Sequence, residues 1–177
     1  MRPSGVPLLF LLALMAGVAG CGGGSAASAA LPPLPIHQDL QSLVQATPLI
    51  LVGQVAGLQP GRVAGSGEGR LQFNDVRVTV EKRLKGNPAA EIIVEQVDTT
   101  GRVFTSEVGP AYKRGERYLL FLRPGEGERY ITTTQGRYLL KAGAVRPIDG
   151  GPVADNLKGK EEAQLIEAIE AIVRKGP

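Results

Sequence analysis

The chain has 177 residues, of which 43% are hydrophobic and 21% charged, with one cysteine and one histidine. The chain has twenty basic and seventeen acidic residues, and the two kinds are interspersed along it. This nearly balanced charge argues against nucleic acid as a partner. A lone cysteine excludes a disulfide within the chain, and no spacing typical of zinc ligands is present, so neither a metal nor another cofactor is predicted.

The first twenty residues are typical of a signal peptide. Arg2 precedes an apolar stretch over residues 6–18, which gives way to Gly20 and Cys21. A helix that spans a bilayer needs about 20 apolar residues, and this stretch is too short. We therefore predict that residues 1–20 are removed and that the chain has no permanent transmembrane helix.

The residues Val18-Ala19-Gly20-Cys21 resemble the lipobox of bacterial lipoproteins. The resemblance implies cleavage between Gly20 and Cys21 and transfer of acyl chains, such as palmitate, to Cys21. Each buried CH₂ contributes about 0.8 kcal/mol, so several chains hold a protein on a membrane. The expectation is an exported protein, lipid-anchored to the cell membrane or outer membrane, with its domain in the periplasm or extracellular space. An unmodified Cys21 beside a secretory cleavage site, or an uncleaved anchor, is the alternative.

Residues 21–38 are predicted to form a flexible tether. The segment is rich in glycine, serine and alanine and then in proline, a composition that buries little apolar surface. His37 is predicted to be a solvated residue near its end. Residues 39–177 are about 140 residues, a size typical of one domain.

A short helix is predicted over residues 39–45, with Asp39 as its cap. Beyond it the apolar residues follow the period of β-strands, the first of which is predicted to end at Gly57 and Pro60-Gly61. Residues 62–70 are predicted to be a mobile loop. The strands are expected at 49–55, 75–81, 92–97, 117–123, 130–134 and 137–140, with a bend or bulge at Gly136 and a further candidate at 103–105.

The segment from about 160 to 175 is predicted to be a helix. Its apolar residues lie within an arc of about 120° at helical spacing, which suits packing on a sheet. Acidic residues in its first turn and basic residues in its last complement the helix dipole. Because its polar face is acidic, packing on the domain is favoured over binding to anionic lipid.

Four segments resemble those of a loose group of exported bacterial proteins of unassigned function. They are Val52–Val55, Val80–Gly86, Gly115–Leu122 and Gln135–Tyr138. Members of the group are similar to the OB-type barrels of netrin modules and tissue inhibitors of metalloproteinases, and the resemblance covers about residues 47–148. It implies a mostly β fold, a five- or six-stranded OB-like Greek-key barrel with a C-terminal α-helix. The zinc chelation used by the inhibitors is not implied, since Cys21 would be lipidated.

No catalytic residue is predicted. His37 lies in the tether, and the acidic residues fall at turns, on polar strand faces or on the last helix, although folding could still enclose a pair. The glycine-rich stretch 65–69 lacks the Gly-Lys-Ser/Thr of a phosphate loop. The four tyrosines are either a ligand groove or, as we favour, ordinary packing. They are Tyr112, Tyr118, Tyr130 and Tyr138.

These observations together predict a non-catalytic binding or scaffolding module of the cell envelope. Its partners would be the membrane, through the lipid anchor, and an envelope protein, peptide or glycan. The ligand-binding residues stay unknown at this level. A regulator or inhibitor of an envelope protease is the alternative that the resemblance suggests, and a hydrolase with an acidic site is a third.

Overall fold

A computed structural model describes residues 35–67, 70–98 and 110–176, which lie within one compact unit, Pro33–Pro177. The predicted signal peptide, the lipidation site, most of the tether and the candidate strand at 103–105 lie outside the described residues. The elements in chain order are α1 (Leu40–Ala46), β1 (Leu49–Ala64), β2 (Leu71–Lys85), β3 (Glu91–Val97), β4 (Arg117–Pro124), β5 (Arg129–Lys141), β6 (Ala144–Pro147), α2 (Pro152–Leu157) and α3 (Glu162–Lys175).

Five strands form a closed barrel, and β6 adds to β5 outside the ring. The strand order is β3-β2-β1-β4-β5-β6, and a further pairing of β3 with β5 closes the ring. The closing pair is parallel and has three residue pairs, from Ile93↔Arg129 to Glu95↔Ile131, whereas the other neighbours are antiparallel. The predicted fold class, an OB-like barrel with a C-terminal helix, is confirmed.

β4 buries both of its faces, because its side chains alternate between the barrel interior and the helices outside. On β4, Leu120 and Leu122 belong to the interior cluster, whereas Leu119 and Phe121 lie in a second cluster with the helices; all four are 0% exposed. The second cluster also contains Leu43, Val153, Leu157, Leu165 and Ile169, which come from α1, α2 and α3. This double burial explains why residues 117–123 are the most apolar strand of the domain.

The two predicted helices are present. The Ser42 backbone N–H donates to Asp39 Oδ1 at 2.7 Å, which confirms the predicted cap of α1. On α3, Leu165 and Ile169 are buried against the barrel, so the predicted packing of this helix is confirmed. Among the described residues, no helix combines the length and the apolar character needed to cross a bilayer.

The predicted end of the first strand is wrong. β1 continues through Gly57 and Pro60 to Ala64, so residues 62–64 of the predicted loop belong to this strand. Register shifts between Val55 and Gly57 and between Pro60 and Val63 absorb the irregular residues as bulges. Beyond Val55, β1 pairs with β2 alone among the described strands, and a strand with a free edge tolerates proline.

Two elements were not predicted, β6 and α2. They have four and six residues, too few for a period to be visible in the sequence. The predicted bulge at Gly136 is present, since the β4–β5 register shifts between Leu120 and Leu122 opposite residues 132–137. Gln135, in this bulge, has a φ of 62°.

Candidate functional site

The predicted sites at the N-terminus, Gly20 and Cys21, lie outside the described residues. His37, predicted to be solvated in the tether, is half-buried, and its backbone N–H donates to Gln135 Oε1 at 2.8 Å. The end of the predicted tether therefore contacts the bulge of β5.

Three of the four tyrosines are core residues, so the packing interpretation is confirmed and the groove interpretation is wrong for them. Tyr112 and Tyr118 are each 3% exposed and their rings meet edge to face at 5.0 Å, and Tyr138 is 0% exposed. Burial raises the pKa of Tyr112 to about 12 and also raises the pKa values of Tyr118 and Tyr138. Tyr130 is half-buried against the barrel interior.

Several polar side chains, which the sequence did not predict to lie together, surround Tyr112. The Tyr112 backbone N–H donates to Gln96 Oε1 at 3.1 Å, and its hydroxyl lies 3.0 Å from Thr132 Oγ1. The Arg137 guanidinium lies 4.8 Å from the ring centre, with Nη2 3.5 Å from Asp149 Oδ1. Burial raises the pKa of Asp149, an effect that Arg137 opposes. These contacts hold Tyr112 and Arg137 within the packed core.

Folding does bring two carboxylates together, Asp75 of β2 and Glu95 of β3. They are direct cross-strand partners and are 3% and 5% exposed. Their neighbours Val76 and Val94 point into the barrel, so both carboxylates lie on its outer face. The enclosed acidic pair that the sequence left open therefore exists.

Each carboxylate is held by an arginine. Arg129 Nε and Nη2 donate to Asp75 Oδ1 and Oδ2, both at 3.0 Å. Arg62 Nε donates to Glu95 Oε1 at 2.6 Å and Nη2 to Oε2 at 3.2 Å. These hydrogen bonds raise the pKa values of both arginines. Bidentate pairing suits the carboxylates to positioning the arginines rather than to moving protons.

The two arginines are fixed on one side and open on the other. Their side chains are 29% and 31% exposed for Arg62 and Arg129. The Arg62 guanidinium lies 4.3 Å from the ring centre of Phe73, and its Nη1 lies 3.1 Å from Glu126 Oε2. We call the five residues Arg62, Asp75, Glu95, Glu126 and Arg129 the charged face.

The charged face draws on four strands and one turn. Asp75 lies on β2, Glu95 on β3, Arg62 on β1 and Arg129 on β5, and Glu126 lies in the β4–β5 turn. In OB barrels the face of the second and third strands and the connections between strands 1 and 2 and between strands 4 and 5 are used for recognition. The sequence predicted a loop at Arg62 and in the turn that contains Glu126. Asp75 alternates with core valines along β2, and this pattern predicted that its side chain faces water.

A surface groove of about 790 Å³ lies apart from the charged face, between the β5–β6 turn and α3. Its lining includes Glu161, Glu162, Glu167 and Glu170. Glu170 Oε1 lies 2.8 Å from Lys82 Nζ, and Glu162 Oε1 lies 3.1 Å from Arg117 Nη2. Two of these four carboxylates therefore already form ion pairs that connect α3 to the barrel.

The charged face pairs three carboxylates with two arginines. Among the residues that the structure describes, no three or more histidine, cysteine or acidic side chains are grouped to hold a metal ion. No protein-family model matches the chain, and no curated protein matches it.

Proposed function

We propose that the chain is a non-catalytic binding module that lipid on Cys21 anchors to the cell envelope. The observation that carries the binding role is the pair of arginines, Arg62 and Arg129. Each is held by a nearly fully buried carboxylate, and about a third of each side chain stays exposed. The lipobox-like residues 18–21 support the anchor.

Fixed arginines favour binding for an entropic reason. A free arginine side chain loses up to about 2 kcal/mol of conformational freedom when a partner immobilises it. In this barrel the hydrogen bonds to Asp75 and Glu95 already restrict the two guanidinium groups. A partner that contacts them gives up less freedom on binding, as expected for a preorganised surface.

The anchor predicts a change of compartment for a Cys21→Ala variant. The parent chain should fractionate with membranes and carry acyl chains on Cys21, detectable by mass spectrometry. The variant has no thiol to acylate, so it should leave the membrane fraction, whereas Ser25→Ala in the tether should behave as the parent. An unmodified sulfur in the parent, or unchanged fractionation of Cys21→Ala, would refute the anchor.

The binding role is tested by photocrosslinking in intact envelope. A photoreactive residue replaces Glu128, which is exposed and adjoins Arg129, and a matched control replaces the exposed Gln164 on α3. We expect a discrete crosslinked product from position 128 that position 164 does not give. The same products from both positions, or background labelling alone, would count against the charged face as the binding surface.

A further inference from the structure

Glu126 differs in exposure from the other two acidic residues of the charged face. Its Oε2 lies 3.1 Å from Arg62 Nη1, yet its side chain is 72% exposed. It lies in the β4–β5 turn between Gly125 and Gly127, and Gly127 has a φ of 66°. The contact is thus made by a solvated side chain on a glycine-flanked turn.

The two carboxylates on Arg62 are held with unequal strength. The Glu95 side chain is 1% exposed and makes two hydrogen bonds to Arg62, so its loss would leave a guanidinium without its main partner. An exposed ion pair such as that of Glu126 contributes only about 0–1 kcal/mol. Glu126 is therefore the carboxylate that another anion can displace.

The charges allow such an exchange. Arg62 and Arg129 balance Asp75 and Glu95, so Glu126 gives the charged face a net charge of −1. A ligand carboxylate that displaces Glu126 makes the same ion pair with Arg62 Nη1, while the Glu126 side chain turns into solvent on its turn. The carboxylate beside Arg62 Nη1 belongs to a glutamate side chain. The ligand group that matches this position is therefore an acidic side chain of a peptide.

We propose that Arg62 forms a subsite for a glutamate or aspartate side chain on an acidic peptide segment of a protein partner. Glu126 occupies this subsite as an internal competitor. Phe73 supports the Arg62 guanidinium, and Arg129, whose Nε lies 3.8 Å from the same Glu95 oxygen, lies beside it as a second donor. The inference rests on the binding face of the proposed function and is independent of the lipid anchor.

The test measures binding of a fluorescent Gly-Glu-Glu-Glu-Glu-Gly peptide to the full mature chain in detergent, with the glutamine analogue as the neutral peptide. Glu126→Gln should bind the acidic peptide about threefold to fivefold more tightly, since it removes the competitor. Glu128→Gln is the matched control, because it makes the same charge change in the same turn, and Glu128 has no ion pair with the charged face. Arg62→Lys should weaken binding about tenfold, since lysine lacks the planar fork.

The inference would be overturned if Glu126→Gln and Glu128→Gln had equal effects, if the acidic and neutral peptides bound equally, or if neither peptide bound. It would also be overturned if an Arg62→Lys variant with the same melting temperature as the parent bound the acidic peptide unchanged. Tighter binding of an oligogalacturonate with the same dependence on Arg62 would overturn the peptide assignment. In each case a crosslinked product from position 128 would still support the proposed function, so the two failures are distinguishable.

Discussion

A Leu51→Asp substitution is expected to unfold the domain. Leu51 is 0% exposed, lies in the interior cluster of the barrel, and is paired on either side with Leu120 and Arg83. Loss of a buried leucine costs about 2–5 kcal/mol, and burial of an unpaired carboxylate adds several more. The sum is comparable with the whole stability of a typical domain, about 5–15 kcal/mol. Circular dichroism should show no cooperative thermal transition.

The matched control is Val63→Asp, on the same strand. Val63 is 43% exposed, so a carboxylate there stays hydrated and should change the free energy of unfolding by less than about 1 kcal/mol. A cooperative transition in Leu51→Asp close to that of the parent would show that the inside of the barrel is not packed as described.

A Glu95→Gln substitution is expected to lower the free energy of unfolding by about 3 kcal/mol, near the lower end for breaking a buried ion pair. The Glu95 side chain is 1% exposed and accepts hydrogen bonds from Arg62. An amide keeps the shape but removes the charge and turns an NH₂ group toward guanidinium donors. The two arginines are about a third exposed, so water compensates them in part. Denaturant unfolding measures the effect.

Glu91→Gln supplies the comparison on the same strand. Glu91 is 50% exposed and its contact with Arg77 is 3.9 Å long, so its neutralisation should cost less than about 1 kcal/mol. Equal losses for the two substitutions would mean that the charged face contributes no more than ordinary surface charges.

The parts of the fold that could be predicted have a clear hydrophobic period. Val76 and Val78 alternate with polar residues along β2, and the apolar stripe of α3 spans several turns. The end of β1 could not be predicted. Glycine and proline usually signal the end of a strand, but a strand can continue through them where bulges accommodate them. Whether they do depends on which neighbours the strand has, and that is decided by the tertiary fold.

The charged face could not be predicted because its members are far apart in the chain. Arg129 lies 54 residues from Asp75, and Arg62 lies 33 from Glu95. Their meeting requires the β2–β3 register and the closure of β5 on β3, neither of which leaves a local signal. A strand residue that alternates with core valines is expected to face solvent, and only these contacts show that Asp75 and Glu95 are covered.

The short parallel seam between β3 and β5 has a consequence for the order of folding. It consists of three residue pairs, the first of which is Ile93↔Arg129. Formation of these pairs closes a long stretch of chain, which costs conformational entropy, and three pairs return little favourable free energy. Contacts of this kind form late in folding. Until then the strands form an open sheet whose outer edges can pair with another molecule. The Arg129 guanidinium reaches past β3 to Asp75 on β2, so it fastens the ring across two strands. The pairing of β3 with β5 therefore covers the edge that each of these two strands presents in the open sheet, over residues 93–95 and 129–131.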